Sequence, residues 1–183
     1  ELLKKSGLNT AKWSLIKSKE NLIEELNYYF NEYGGAVIKP IFDRGARNIF
    51  IISKNKNKYF DNQNITKFNT IKDFLPELNK YNFINKFLIM QELFEPVVDI
   101  DLFAWKGKSL SIVPRKRNHP LLPNMGHKII KDEILINLGK KIIKEFNLSW
   151  LYDCDVMFDK NKQPIVIEIN PRQSGSVAIS LAA

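Results

Sequence analysis

Near the C-terminal end, VIEINPRQSGS (residues 166–176) places Glu168, Asn170 and Arg172 at alternate positions of an otherwise apolar run. In a strand, alternate side chains share a face, so Glu168 and Asn170 point the same way about 7 Å apart. The same alternation assigns Ile165, Ile167 and Ile169 to an apolar face and Val166 to the face of Glu168 and Asn170. Asp155 stands 13 residues before Glu168, across a short KNKQ turn. A hairpin that seats Asp155 opposite Glu168 gathers two carboxylates and an amide oxygen on one face. These are hard oxygen donors of the kind that Mg²⁺ takes, with water and phosphate oxygens completing its octahedron. Without a cation, two adjacent carboxylates repel. The plain alternative is a solvent-facing edge strand, which gives no reason for the NPR that follows.

Three further stretches carry chemistry. In AVIKPIFDRGARNIFII, Lys39 lies inside an apolar strand, where an ammonium needs an anion or an exit to solvent. The turn after it holds Arg44, Gly45 and Ala46, and its backbone N–H groups can cup an anion; Asn48 tolerates positive φ. In MQELFEPVVDID, the backbone around Gln91, Glu92, Leu93 and Phe94 can hydrogen-bond a heterocycle, with Glu95 or Asp99 for ribose hydroxyls; an ordinary acidic hairpin is the alternative. In PRKRN (114–118), Arg115 and Arg117 share a strand face and offer guanidinium forks for phosphate or carboxylate, or simply form a solvated basic edge. His119 and His127 read as bystanders, since no third His or second Cys supports zinc; Cys154 and the three Trp read as packing residues.

The elements that position these groups follow from periodicity. Helices are expected at 1–7, closed by Gly7; at 17–30, with Ser18 as N-cap; at 70–81, despite Pro76; and at 131–148, with Ile134, Leu135, Leu138, Ile142, Ile143 and Phe146 on one side. Strands are expected at 36–41, 49–54 and 87–94, in a hairpin over 100–118, and in a closing hairpin of 150–159 with 164–171; 118–128 reads as loop. The result is an α+β chain of largely antiparallel hairpins, with one lobe over 1–90 and a second over 91–183. A chain of 183 residues with 44% hydrophobic and 26% charged residues is long enough for a sizeable core and has no apolar run of membrane-spanning length. One Cys excludes an internal disulfide and fits a cytoplasmic location. The net charge of +8 favours anionic partners, although Lys-rich runs such as KNKNK (54–58) also serve as solvated surface. The chain opens without Met in what reads as mid-helix and ends on AISLAA, so a longer parent protein is expected.

Taken in order, these stretches resemble the ATP-grasp family, nearest its carbamoyl-phosphate-synthase-like branch. AVIKP resembles the strand bearing the family's phosphate-binding lysine, DRGARN its glycine-rich loop, and MQELFEP its adenine hinge. DVMFD followed by VIEINPR resembles its metal-binding hairpin. The resemblance covers almost the whole chain, and IEINPR is its most specific part. It implies two lobes of antiparallel sheet and helices with a nucleotide cleft between them. It also implies ATP held by Lys39, the 44–46 loop and residues 91–95 or Asp99, and Mg²⁺ (or Mn²⁺) on Asp155, Glu168 and Asn170. Arg172 and Lys39 then act electrostatically on the transferred phosphoryl group. The implied activity is ATP-dependent, ADP-forming ligation of a carboxylate to an amine or other nucleophile. Small molecules are then the partners, without nucleic acid or membrane, and a homo-oligomer is compatible. The loop departs from the family pattern at Asp43 and Asn48, where glycines are usual, and a preceding α/β domain is expected upstream. The alternatives are an ATP-binding module without ligase activity and a basic nucleic-acid-binding domain.

Overall fold

The computed structural model describes residues 2–42, 48–54, 65–120, 122 and 125–181. The expected anion-cupping turn, with Arg44, Gly45 and Ala46, lies outside the described residues, as does most of the KNKNK run. The chain forms two compact units, residues 11–92 and residues 1–10 with 93–183.

In the first unit, α2 (Lys19–Tyr33) starts where Ser18 accepts a hydrogen bond from the Asn21 N–H and ends at Gly34, whose φ of 82° few other residues adopt. Its Leu22, Leu26 and Tyr29 are buried. The sheet runs β1 (Trp13–Leu15), β5 (Phe87–Gln91), β2 (Gly35–Pro40), β3 (Ile49–Ser53), β4 (Ile65–Phe68), antiparallel except for the β3–β4 pair. Alternation along β2 and β3 sends Ala36, Ile38, Phe50 and Ile52 into a core with the α2 face. Phe50 meets Phe74, Tyr81, Phe83 and Phe87 there at ring-centroid distances of 5.0 to 6.3 Å. The expected helix over 70–81 is instead a single turn, α3 (Ile71–Phe74), followed by 3₁₀ turns over Leu75–Asn79. Pro76 has no N–H to donate, and its ring crowds the carbonyl four residues back, which breaks the α-helical ladder.

The second unit holds α1 (Leu2–Lys5), β6 (Phe94–Trp105), β7 (Lys108–Arg117), β8 (His127–Ile129), α4 (Glu133–Glu145), β9 (Trp150–Phe158), β10 (Pro164–Asn170) and α5 (Ala178–Leu181). Its sheet order is β10-β9-β6-β7-β8, antiparallel throughout. Even-numbered residues of β6 and β9 (Val98, Ile100, Leu102, Ala104, Cys154, Val156) build the core with Leu135, Ile142 and Ile143 of α4. Gly139 lets that helix close on the sheet: a Cβ there would stand 2.8 Å from Ile112 Cγ2 and 3.0 Å from Leu102 Cδ2. Ile134, expected on the buried side, is 64% exposed in the first turn after the Asp132 cap.

Two boundaries differ from the sequence reading. Residues 1–10, placed there with the first lobe, go with the second unit: Leu8 joins its core, Val166 N–H donates to Asn9 O at 3.0 Å, and Lys141 Nζ donates to Gly7 O. The expected loop 118–128 ends in a strand, since β8 pairs His127 with Arg117. No described helix is long and apolar enough to cross a membrane.

Candidate functional site

The odd-numbered residues of β6, β7 and β9 turn away from the core and form a charged face. Asp99 and Asp101 come from β6, Arg115 and Arg117 from β7, and Asp153 and Asp155 from β9. Cross-strand pairing sets Asp99 opposite Asp155 and Asp101 opposite Asp153. Like charges directly opposite each other destabilise a sheet, so this face stands only with compensation.

On the far side of β9, Glu168 of β10 pairs with Asp155, and Asn170 pairs with Asp153. A bulge between Val166 and Glu168 makes this possible. It inserts one residue and shifts the face assignment, so Val166, expected beside Glu168, is buried in the core while Ile169 packs against that core from further along. Past the bulge, Glu168 is exposed and accepts a hydrogen bond from Asn170 Nδ2 at 3.0 Å. The amide oxygen of Asn170 is thus turned from the nitrogen that Glu168 holds. Arg172 is exposed; its N–H donates to Asn170 O and its Nη1 to Gln173 O.

Of the partners expected for the two arginines, phosphate or carboxylate, the structure shows carboxylates of the same sheet, and neither arginine forms a solvated basic edge. Arg115 is 0% exposed; Nη2 donates to Asp101 Oδ1 at 3.0 Å, Nε lies 2.9 Å from Asp101 Oδ2, and Nη1 donates to Ser176 Oγ at 2.7 Å. Arg117 grips Asp99 through Nε and Nη2, and Nη2 also reaches Asp155 Oδ2 at 3.1 Å. His127, read as a bystander, is drawn in when β8 pairs with β7: its Nε2 lies 2.6 Å from Asp99 Oδ2. Neither guanidinium supplies a surface for nucleic acid.

Burial pushes the Asp99 carboxyl up, but hydrogen bonds and charge from Arg117 and His127 outweigh it and hold Asp99 below the usual carboxylate range. Asp155 goes the other way: burial, then the charges of Asp99, Asp153 and Glu168, raise it to about 7 against the opposing pull of Arg117. Asp153 is raised to about 6, first by burial and then by Asp99 and Asp101. Burial also raises the Cys154 thiol, which fits a packing role. Asp155 Oδ1 is buried without a hydrogen-bond partner, a donor suited to a cation. The residues therefore fit Mg²⁺ or Mn²⁺: Asp155 faces Glu168 directly, with the Asn170 amide beside it.

In the other unit, Lys39 is half-buried on the β2 face that carries Val37, away from the aromatic core, and pairs in register with Leu88. The expected hinge backbone is partly occupied within its own unit: the Gln91 N–H donates to Lys12 O and the Glu92 N–H to Gly35 O. The Gln91 side chain accepts from the Lys12 N–H, and Glu92 Oε2 accepts from Ser53 Oγ at 2.6 Å. Leu93 is 9% exposed, and Phe94 opens β6 opposite Phe158. Asn48, as its type allowed, has φ of 53°.

Asp101, Asp153 and the engagement of His127 were missed in the sequence. The signal for the acids was present, because DID (99–101) and DCD (153–155) repeat a carboxylate at the two-residue period of a strand face.

A family profile described as ATP-grasp in the biosynthetic pathway with Ter operon matches residues 83–183. No curated protein matches. Among solved structures, N5-carboxyaminoimidazole synthetase from Staphylococcus aureus complexed with ADP aligns over 99% of this chain and 44% of its own, at 18% identity and TM-score 0.65. The biotin carboxylase domain of 2-oxoglutarate carboxylase from Hydrogenobacter thermophilus, a MgADP complex, aligns over 97% and 39%, at 16% identity and TM-score 0.65. D-alanine–D-alanine ligase from Bacillus anthracis complexed with ATP aligns over 93% and 50%, at 20% identity and TM-score 0.58. At such identities the likeness is one of fold. The chain spans half or less of the length of these structures.

Proposed function

Because the chain belongs to the ATP-grasp family of the biosynthetic pathway with Ter operon, we propose that it serves an ATP-dependent, ADP-forming ligase that joins a small carboxylic acid to an amine or another nucleophile. A carboxylate oxygen attacks the γ-phosphorus of ATP, ADP departs, and an acyl phosphate results. The nucleophile then attacks the acyl carbon, and inorganic phosphate leaves with the bonding pair. Such chemistry asks the protein mainly for positioning and charge stabilisation.

In this reading Lys39 contacts the phosphates, a role it shares with Arg44, Gly45 and Ala46. The backbone of residues 91–94 takes the adenine, where the commitments of Gln91 and Glu92 leave the role to Leu93 and Phe94. Glu95, half-buried, takes the ribose, since Asp99 is enclosed too deeply for a ribose hydroxyl. Asp155, Glu168 and Asn170 hold Mg²⁺, which when bound neutralises charge on the phosphates. Arg172, exposed beyond Asn170, stabilises the oxyanion of the acyl phosphate.

The observation that carries the proposal is the direct pairing of Asp155 with Glu168 beside Asn170, on a segment ending in Pro171 and Arg172. Calorimetry of ATP with and without Mg²⁺, on the whole protein and on Glu168→Gln, tests it. Mg²⁺-dependent micromolar binding that loses its metal dependence in the variant supports the site. No nucleotide binding by folded protein overturns the reading, and binding without ADP release for any acid and nucleophile leaves an ATP-binding module.

A further inference from the structure

Arg117 neutralises Asp99 and one oxygen of Asp155, and Arg115 neutralises Asp101. Asp153 has no such arrangement. It is 6% exposed, its Oδ1 accepts no hydrogen bond, and Arg115 Nη2 stands 4.0 Å away while donating to Asp101. Asp155 Oδ1 is buried and likewise without a hydrogen bond. Asp99, Asp153 and Asp155 each bring one oxygen within 4.8 Å of the others. Among the described residues, the ion pairs of Asp99, Asp101, Asp153 and Asp155 on this face are with Arg115, Arg117 and His127. Two buried oxygens lacking donors, within a cluster in net negative excess, call for a cation from solution.

We infer that Asp153, Asp155 and Asp99 form a binding site for a hard divalent cation that fills without nucleotide, and that Asp153 is its defining ligand. It differs from the Asp155–Glu168–Asn170 set in both Asp153 and Asp99 and shares only Asp155, whose Oδ2 accepts from Arg117 and whose Oδ1 has no hydrogen bond. Ligands on opposite sides of an ion lie about 4.2 Å apart for Mg²⁺ and about 5 Å apart for Ca²⁺, so the cluster spans the right range for an oxygen-seeking divalent ion. All-carboxylate ligation selects Mg²⁺, Mn²⁺ or Ca²⁺ over thiophilic metals. A cation seated there would hold Asp155 ionised and oriented toward Glu168 before any nucleotide arrives. The inference stands on carboxylate geometry alone, so it stands or falls separately from the ligase proposal.

The test is a titration of the whole protein with Mn²⁺ in nucleotide-free buffer at pH 8, with free Mn²⁺ read by electron paramagnetic resonance. Wild type should take up one equivalent, displaced by Mg²⁺ or Ca²⁺. Asp153→Asn should weaken uptake by about tenfold or more, because ligand charge sets the affinity of such sites. The double variant Glu168→Gln/Asn170→Ala should bind within about threefold of wild type, since it leaves all three ligands in place. Wild-type uptake with an unchanged Asp153→Asn curve overturns the site, as does the absence of uptake by folded wild type. Should Asp153→Asn fail to fold by circular dichroism, the double variant still decides: loss of uptake there assigns the ion to Glu168 and Asn170. ATP·Mg²⁺ calorimetry on the same samples reports on the ligase reading independently.

Discussion

Arg115 and Arg117 sit two residues apart on one strand, project from one face and each hold a β6 aspartate, yet their surroundings differ. Arg115 is fully enclosed, and its partners, Asp101 and Ser176, tie β6 to the segment after β10, where Ser180 Oγ also donates to Asp101. Arg117 is 15% exposed at its side chain and bridges two acids, one of them the 19%-exposed Asp155. The first pair is an internal fastening. The second is a bridge whose Asp155 end faces the candidate metal donors. Alternation put both on one face; depth in the sheet gave them different work.

The largest expected effect breaks the fastening. Arg115→Met leaves Asp101 buried without its countercharge and should destabilise by about 3–5 kcal/mol in urea unfolding, whereas adding Asp101→Leu should recover part of that loss. A double variant as unstable as the single would mean that the pair contributes net stability beyond its own desolvation. In Arg117→Gln the solvent-facing edge softens the loss, to about 1.5–3 kcal/mol, the range for hydrogen bonds to charged groups. Equal losses in the two arginine variants would erase the distinction between them.

Acidity sharpens the contrast on the same sheet. Asp155 and Asp153 have native pKa values raised to about 7 and about 6, above the ordinary 3.8. Native protein therefore holds protons that the unfolded chain has released, and stability falls as pH rises from about 4 to about 7. Asp99, held low, acts in the opposite sense, and only as pH falls below the normal carboxylate range. In metal-free buffer the melting temperature should drop between pH 5 and pH 8, by an amount worth on the order of 2 kcal/mol given the shared charges. Asp155→Asn should flatten the slope, and divalent cation should reduce it by favouring the ionised form. A flat profile in metal-free wild type would contradict the burial of these acids.

How much of this was legible beforehand depends on how local each cause is. Strands β2, β3, β5, β6, β7, β9 and β10, the Ser18 cap and the closing hairpin follow from short-range periodicity and turn chemistry, and ATP-grasp architecture followed from IEINPR. Strands β1, β4 and β8 are too short to show a period. Asp155 opposite Glu168 was read as a hairpin pair, but counting along from Pro164 on Phe158 carries Glu168 to Cys154, and it is the bulge that brings it to Asp155. The bulge that moves Val166 to the core is set by the pairing of β10 with β9 and with Asn9, which period-two counting along one strand cannot contain. Likewise, the carboxylates that Arg115 and Arg117 hold could not be named in advance, because they lie on another strand, 14 and 18 residues away in sequence. His127 was lost for the same reason: only the β7–β8 pairing carries it to Asp99.

The smallest effect tests whether the Arg115 fastening reaches beyond β6. Ser176→Ala removes the oxygen that accepts from Arg115 Nη1 at 2.7 Å and from which Ser174 Oγ lies 3.0 Å away. Because Asp101 still neutralises the guanidinium, the loss should be about 1 kcal/mol, far below that of Arg115→Met. The segment after Arg172 should nonetheless loosen. Amide hydrogen exchange at Val177 and Ser180, whose N–H groups close turns onto Ser174 and Val177 carbonyls, should quicken while β6 and β7 stay protected. Unchanged exchange there would mean that the segment is held by Ser180 on Asp101 alone, and that the reach of Arg115 ends at β6.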